Sequence, residues 1–436
     1  LQGVTTIGEP RQADSFRRVL GLPQVTMSGV AVIIGAGIFV LLGPAAQEAG
    51  GSVWLSFVIA AVLSAFTAFS YMELASMFPK AGSEHEFARQ AFPRWFAAVV
   101  GWCMSVALLV AAATVALGFA RYLSEFVEVN QQWVGAVVIV VMAAVTYFGM
   151  DKAAWLIVGL AGLQILALLF VVVVGVPSLG DHDLMSGSVS GVMAGAALVF
   201  FAFIGFDEVI TLAEETRDPT RTVPRALLLA LGISALLYVL VAVAAVSVLG
   251  PDALGEARAP LAAVGAATVG PWGGDMLVAA ALVSTGSTVL LAITAGSRML
   301  YAMAAARDLP YALAKVWFAR VPLNALLTSV VIALLFLLVG DLKTLASATD
   351  ALIYLIFLVV NVVLVVLRFT TPDARRPFRV RGAIGKVPVL PVIGFAMVLL
   401  VARELEPSSF WLAGTVAAVG LLVHLVQRAI ESRQPA

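Results

Sequence analysis

Apolar residues run through this chain in stretches of roughly 20, the length a helix needs to cross the hydrocarbon core of a bilayer. Short polar clusters separate them. The pattern predicts twelve transmembrane helices, near 23–48, 52–78, 94–124, 131–149, 153–176, 189–215, 224–249, 273–306, 322–340, 347–368, 387–403 and 408–428. An even number returns both termini to one side. Of the 26 Lys and Arg, this division puts all but Arg121, Arg258, Lys343 and Arg403 on that side. Cations accumulate in cytoplasmic loops, so both termini are expected in the cytoplasm. The expected fold is an all-α, multi-pass integral membrane protein of the cell membrane.

Two of the predicted spans carry interruptions. The first contains Gly35-Ala36-Gly37, with Gly43-Pro44 further on. Small residues make an unwound segment cheap, and unwinding frees N–H groups that can hold an anion such as a carboxylate. Close packing of two helices is an equal reading of the same glycines. The sixth span places Asp207 and Glu208 inside an apolar run, just after Gly205. A charge at that depth costs roughly 2.5–3.5 kcal/mol and faces protein or water rather than lipid. Counted from Gly191, Asp207 lies about 24 Å along an ideal helix. A break beside an acid reads as a binding site; a continuous helix with Asp207 paired for stability is the alternative. Because the two interruptions are five spans apart, the second half enters from the opposite side. That is the arrangement of two inverted five-helix repeats with a site at their junction.

The connecting segments are less informative. Pro79-Lys80-Ala81-Gly82 opens a loop with mixed charges from Glu84 to Arg94, where a short amphipathic helix and a solvated loop both fit. Glu73, near the inner end of the second span, reads as a snorkelling side chain or a helix–helix hydrogen bond. After the sixth span come Glu214, Glu215, Arg217, Asp218 and Arg221, a gate latch or a solvated connection.

Composition narrows the class. The 436 residues are 61% hydrophobic and 12% charged, half the charge of a soluble chain. Lys plus Arg equals Asp plus Glu at 26 each, so no charge excess points to nucleic acid. Cys103 is the single cysteine, which excludes an internal disulfide, and three dispersed histidines give no metal-ligand spacing. The polar first 20 or so residues show no cleavable signal peptide. No nucleotide loop, nucleophile–base pair or cofactor motif is visible, so an enzyme is disfavoured and no cofactor is expected. An ion channel is the main competitor to a transporter, and no filter-like loop or charged ring supports it.

The stretches GAGIFVLLGPAAQEAG (35–50) and FFAFIGFDEVITLAEETRDPTRTVPRA (200–226) resemble the amino acid–polyamine–organocation transporter superfamily, closest to its cationic amino acid transporter branch and bacterial relatives. PKAGSE (79–84), GWCMSVALLVAAATVALGFARYL (101–123) and SRMLYAMAAARDLP (297–310) extend the similarity over about 25–310. The resemblance implies a LeuT-type 5+5 inverted repeat with helices 1 and 6 broken. It implies a core of helices 1–10 over 23–368, helices 11 and 12 over 369–430, and cytoplasmic ends at 1–22 and 431–436. It further implies exchange or secondary transport of a small amino acid or related amine, with the bilayer as the other partner. By position, Gly35, Ala36 and Gly37 correspond to the backbone that binds the substrate carboxylate. The carbonyls of Ile33, Phe201 and Ile204 correspond to those that receive its ammonium. Phe201 matches an aromatic gate, Phe203 is a second wall, and Gly205 and Asp207 complete the site.

Two positions depart from the family. Ala107 stands where relatives for cationic substrates carry a glutamate, and Gln164 where proton-coupled relatives carry a lysine. Gln164 cannot titrate. Ser284, Thr285, Ser287 and Thr288 offer oxygens to a sodium ion, yet no acid in span 5 balances its charge. Exchange or facilitated movement is therefore favoured over sodium symport and over a proton mechanism through residue 164. The identity of the substrate is left open.

Overall fold

A computed structural model describes residues 20–78, 83–148, 154–206, 208–211, 216–316 and 322–431. In chain order the helices are α1 (Leu22–Ile33), α2 (Gly37–Ala49), α3 (Val53–Met77), α4 (Ser83–Ala91), α5 (Arg94–Leu123), α6 (Gln131–Phe148) and α7 (Ala154–Gly175). They continue with α8 (Val189–Val199), α9 (Glu208–Thr211), α10 (Pro219–Leu249), α11 (Pro251–Glu256), α12 (Pro260–Val269) and α13 (Pro271–Ala305). The last four are α14 (Leu323–Val339), α15 (Leu342–Thr370), α16 (Val389–Ala402) and α17 (Pro407–Glu431). The described strands are a two-residue hairpin, Ala383–Ile384 with Val387–Pro388.

Among the described residues, 8 helical segments are long and apolar enough to cross a membrane, and shorter apolar helices stand beside them. Each predicted span overlaps at least one described helix. The shortfall against the predicted spans has two causes. The first and sixth are each divided into pieces, and α14 and α16, at 17 and 14 residues, are short. The sequence also hid helices. Between α10 and α13, Pro251, Pro260 and Pro271 each open a helix at its first position, where the missing N–H costs nothing. Gly250 and Gly270, at φ 75° and 83°, make the reversals before two of them.

Helix α5 is the pillar of the bundle and packs against α13, α15, α17, α6 and α14. Its small residues permit this. A Cβ added at Gly118 would sit 2.4 Å from Val40 Cγ2, so α2 crosses in van der Waals contact with bare backbone. Helix α11 caps α2 from outside, where the Gln47 amide donates to the Gly255 carbonyl at 2.7 Å.

The segment after Pro79–Gly82, which itself lies outside the described residues, is the amphipathic α4, and it is not a solvated loop. Glu84 and His85 are buried. His85 Nε2 lies 2.8 Å from Asp308 Oδ2, and Arg94 Nε donates to Asp308 Oδ1 at 2.6 Å. His424 from α17 reaches the same residue, with Nδ1 3.3 Å from its carbonyl. Burial pushes the Asp308 carboxyl up, but the hydrogen bonds and charges of His85 and Arg94 outweigh it and hold the carboxyl below its usual range.

Glu73 does not snorkel. It is fully buried and faces Arg368 and Arg376, because α15 and the segment after it close over the end of α3. Beyond the sixth span, Glu214 and Glu215 lie outside the described residues. The connection there is made by backbone: Leu20 pairs with Thr216, and the Arg217 N–H donates to the Leu20 carbonyl at 2.8 Å. Asp218 and Arg221 are exposed and 3.9 Å apart, a separation worth little.

Candidate functional site

The first interruption is a real break. α1 stops at Ile33, α2 starts at Gly37, and Ile34 to Ala36 are non-helical. The N–H groups of the break find defined partners. The Gly35 N–H turns back to the Ile33 carbonyl at 2.8 Å, and the Ala36 N–H donates to Thr288 Oγ1 on α13 at 3.1 Å. The Thr288 hydroxyl in turn donates to the Ser284 carbonyl. The N–H groups that open α2 follow directly and have no partner within their own helix. They carry the positive end of its dipole.

The second break matches it. Ser188 caps α8 by accepting from the Gly191 N–H, and α8 runs to Val199. A single tight turn, Phe200–Phe203, follows, then Ile204 in extended conformation and Gly205 at φ 105°. At that φ a side chain is strained, which is why glycine interrupts the helix here. Asp207 lies outside the described residues, and Glu208 begins α9. Tyr238 on α10 ties the two breaks together: its hydroxyl is 2.7 Å from the Ile33 carbonyl and 3.1 Å from that of Ala202. The breaks also touch. A Cβ added at Gly37 would stand 2.4 Å from Ala202 Cα.

Between them lies a cavity of about 90 Å³, room for several waters. Its walls are the Ile33 and Gly35–Gly37 backbone, Phe201, Ile204 and Gly205, with Leu108 and Ala111 from α5 and Gln164 from α7. No charged side chain lines it among the described residues. Gln164 is 3% exposed; its Nε2 donates to Ser287 Oγ at 3.1 Å, while its Oε1 is buried with no partner there.

Not every expected residue reaches this space. Phe203 is turned away and packs on Tyr238 with ring centroids 5.3 Å apart, because the tight turn sends consecutive side chains in different directions. Thr285 faces its own helix and donates to the Ala281 carbonyl at 2.7 Å, the usual habit of membrane hydroxyls. Ser284 contributes its carbonyl to Thr288 and Ser287, and its own hydroxyl is buried without a partner among the described residues. Thr288 and Ser287 do line the cavity.

Two residues near the site were missed by the sequence reading, and Thr288, expected as an ion ligand, instead holds the backbone of the first break. Tyr238 sits on a helix remote in sequence from the Ile33 carbonyl it holds. Asp350 is an acid within an apolar run, the same signal that drew attention to Asp207, but the predicted span began only three residues before it. The helix starts earlier, at Leu342, because Asp341 caps it by accepting from the Thr344 N–H at 2.9 Å.

The Thr288 bridge makes a direct prediction. Thr288→Val keeps the shape but removes the acceptor of the Ala36 N–H, leaving it unpaired at a cost of about 1–3 kcal/mol. The thermal unfolding midpoint of the purified protein is expected to fall clearly, whereas Thr285→Val, which loses only an intrahelical bond, should stay near wild type. Equal midpoints for the two variants would remove Thr288 from the site.

Several known proteins are similar to this chain in sequence. An uncharacterized transporter of Mycobacterium bovis is 38% identical over 259 residues, 58% of this chain and 58% of that protein, so the chain spans a little over half the length of that relative. A branched-chain amino acid permease of Bacillus subtilis is 29% identical over 96% of this chain and 94% of its own. A methylthioribose transporter of the same bacterium is 27% identical over 97% and 95%. The family profile described as amino acid permease matches residues 20–427. A match of that extent, over a bundle whose long apolar helices can cross a membrane, makes this chain a member of the amino acid permease family.

Proposed function

We propose that the protein moves a small neutral amino acid across the cell membrane by alternating access, from a site between the two helix breaks. The observation that carries this is the cavity itself, where helix-start N–H groups meet an apolar wall. The N–H groups of α2 suit a carboxylate. The Ile204 carbonyl suits an ammonium, and the Phe201 carbonyl can share in it while accepting the Ile204 N–H at 3.2 Å. The Ile33 carbonyl is less open to it, since it accepts from Gly35 and Tyr238. Leu108, Ala111 and Phe201 leave the side chain an uncharged surface, so a cationic side chain or a polyamine finds no partner among the described residues. Asp207, two residues beyond Gly205, is retained as the acid of the site.

In this reading the predicted spans form two inverted five-helix halves over 23–368, with helices 11 and 12 beside them and both termini cytoplasmic. Gln164 fixes no charge at the junction of α1, α7 and α13, so residue 164 carries neither a proton nor a substitute for sodium. The named substrate of one relative, methylthioribose, is uncharged and suits an apolar wall, which makes it the second reading.

The test is a thermal-shift panel on the purified protein. Leucine, valine, isoleucine and alanine are compared with arginine, lysine, putrescine and methylthioribose, since a ligand that binds the folded state raises its midpoint. Stabilisation by the neutral amino acids, abolished by Ala111→Glu, is expected. Stabilisation by arginine or putrescine alone would overturn the neutral class, and by methylthioribose alone would establish the second reading.

A further inference from the structure

We propose that Asp350 is the proton-carrying residue of the transport cycle, protonated in the conformation described here and exchanging its proton when the helices around it open. This rests on the transport reading above and adds to it the coupling ion.

The carboxyl lies eight residues into α15, about 12 Å along the helix. It is 0% exposed, and neither Oδ1 nor Oδ2 has a hydrogen-bond partner among the described residues. No Lys, Arg or His nitrogen among them lies within 4.0 Å. The surrounding elements explain this. α8, the 200–203 turn and α16 contain no ionisable residue. On α5 the groups are Arg94, paired with Asp308, and Cys103, Arg121 and Tyr122. On α3 they are Tyr71 and Glu73, the latter paired with Arg368. α4 carries Glu84, His85, Glu86 and Arg89, and α17 carries His424, Arg428 and Glu431. On α15 itself Lys343 pairs with Glu48, and the ionisable neighbour one turn away is Tyr354. A carboxylate in such surroundings would bear its full desolvation penalty, whereas the neutral acid bears only that of an unpaired hydroxyl and carbonyl. The buried form is therefore the protonated one.

The position also connects to the substrate site. Tyr354 donates to the Ala197 carbonyl of α8 at 3.3 Å, and its ring lies 4.7 Å from that of Phe200. Phe200 precedes Phe201 in the turn that walls the cavity. Rearrangement of that turn when substrate enters or leaves moves the packing beside Asp350 and changes its access to water. One proton bound from water as the carboxylate is covered, and one released as it is hydrated, makes the stoichiometry one per cycle.

The experiment uses the full chain in proteoliposomes with radiolabelled L-leucine. Wild-type protein is expected to accumulate leucine down an imposed proton gradient. Asp350→Asn should lose that accumulation at least tenfold while leucine–leucine counterflow persists, and Asp350→Glu should restore part of it. Unchanged gradient-driven accumulation in Asp350→Asn overturns the proposal, as does equal loss of both activities in a variant that is folded by its unfolding midpoint. Wild-type leucine uptake that ignores the proton gradient overturns it too. Absence of any wild-type uptake strikes at the transport reading instead, and infrared titration then decides Asp350. A protonated-carboxyl band that shifts in D2O and disappears in Asp350→Asn supports the assignment, and its absence overturns it.

Discussion

Gly37→Ala is expected to abolish substrate-induced stabilisation and to lower the unfolding midpoint as well, although it adds one methyl group. The added carbon would stand 2.4 Å from Ala202 Cα, 2.6 Å from its Cβ and 3.1 Å from its nitrogen. Carbon atoms rest at about 3.5–4.0 Å, so the start of α2 must part from the 200–203 turn by on the order of 1 Å. The obstacle is backbone, which has no rotamer to change. Overpacking of this kind costs roughly 1–3 kcal/mol, and a displacement of that size between site elements is enough to cost about a hundredfold in function. The comparison is Gly414→Ala on α17, where an added Cβ meets nothing within 4 Å. Gly35→Ala should fall between, since its Cβ would press on the Thr288 hydroxyl at 2.9 Å, a side chain able to yield. Wild-type binding by a folded Gly37→Ala variant would mean that the two breaks do not form one site.

That pair of glycines shows how far sequence reasoning reaches. Two glycines around one alanine in an apolar run announce a weakness, and the break is there. Whether they expose backbone or admit a neighbour could not be read, because the neighbours come from distant parts of the chain. Ala202 supplies the close approach at Gly37, and Thr288 takes the freed N–H beside Gly35. The same limit explains Tyr238, a tyrosine in an apolar helix with no local signature, whose hydroxyl acquires meaning only when two broken helices present carbonyls to it. Asp350 was legible in principle, since an acid in a span is costly wherever it occurs. Its helix, however, begins at a polar cap that hydropathy alone places outside the membrane. Glu73 was judged by its own position near a span end, and its environment is made by residues some three hundred positions later.

Glu73 carries the second large effect, this time on stability. Its Oε2 takes the Arg368 Nη2 at 2.5 Å and the Val380 N–H at 2.8 Å, and its Oε1 lies 3.1 Å from Arg376 Nε. Arg368 also donates to the Val380 carbonyl at 3.3 Å, so one carboxylate joins α3, the end of α15 and the segment leading to α16. Glu73 is 0% exposed and Arg368 3%. Removing one member of a buried pair strands the other, at about 3–5 kcal/mol. Glu73→Gln is expected to be the worse of the two single changes, because it leaves two guanidinium groups facing each other without a counter-charge. Arg368→Met leaves Glu73 with Arg376 and the Val380 N–H and should cost less. Replacing both, as Glu73→Leu with Arg368→Met, removes one of the two stranded guanidinium charges and should recover part of the loss, since an apolar pair of similar volume is often no less stable than the ions. Arg376 keeps its hydrogen bonds to the Leu367 and Thr371 carbonyls. The readout is a double-mutant cycle of unfolding midpoints in detergent, closed with the single Glu73→Leu variant, in which contacting residues show strong non-additivity. Strictly additive single effects would mean that the pair holds nothing together. A deficit confined to Glu73→Gln would assign the burden to Arg376 rather than to Arg368.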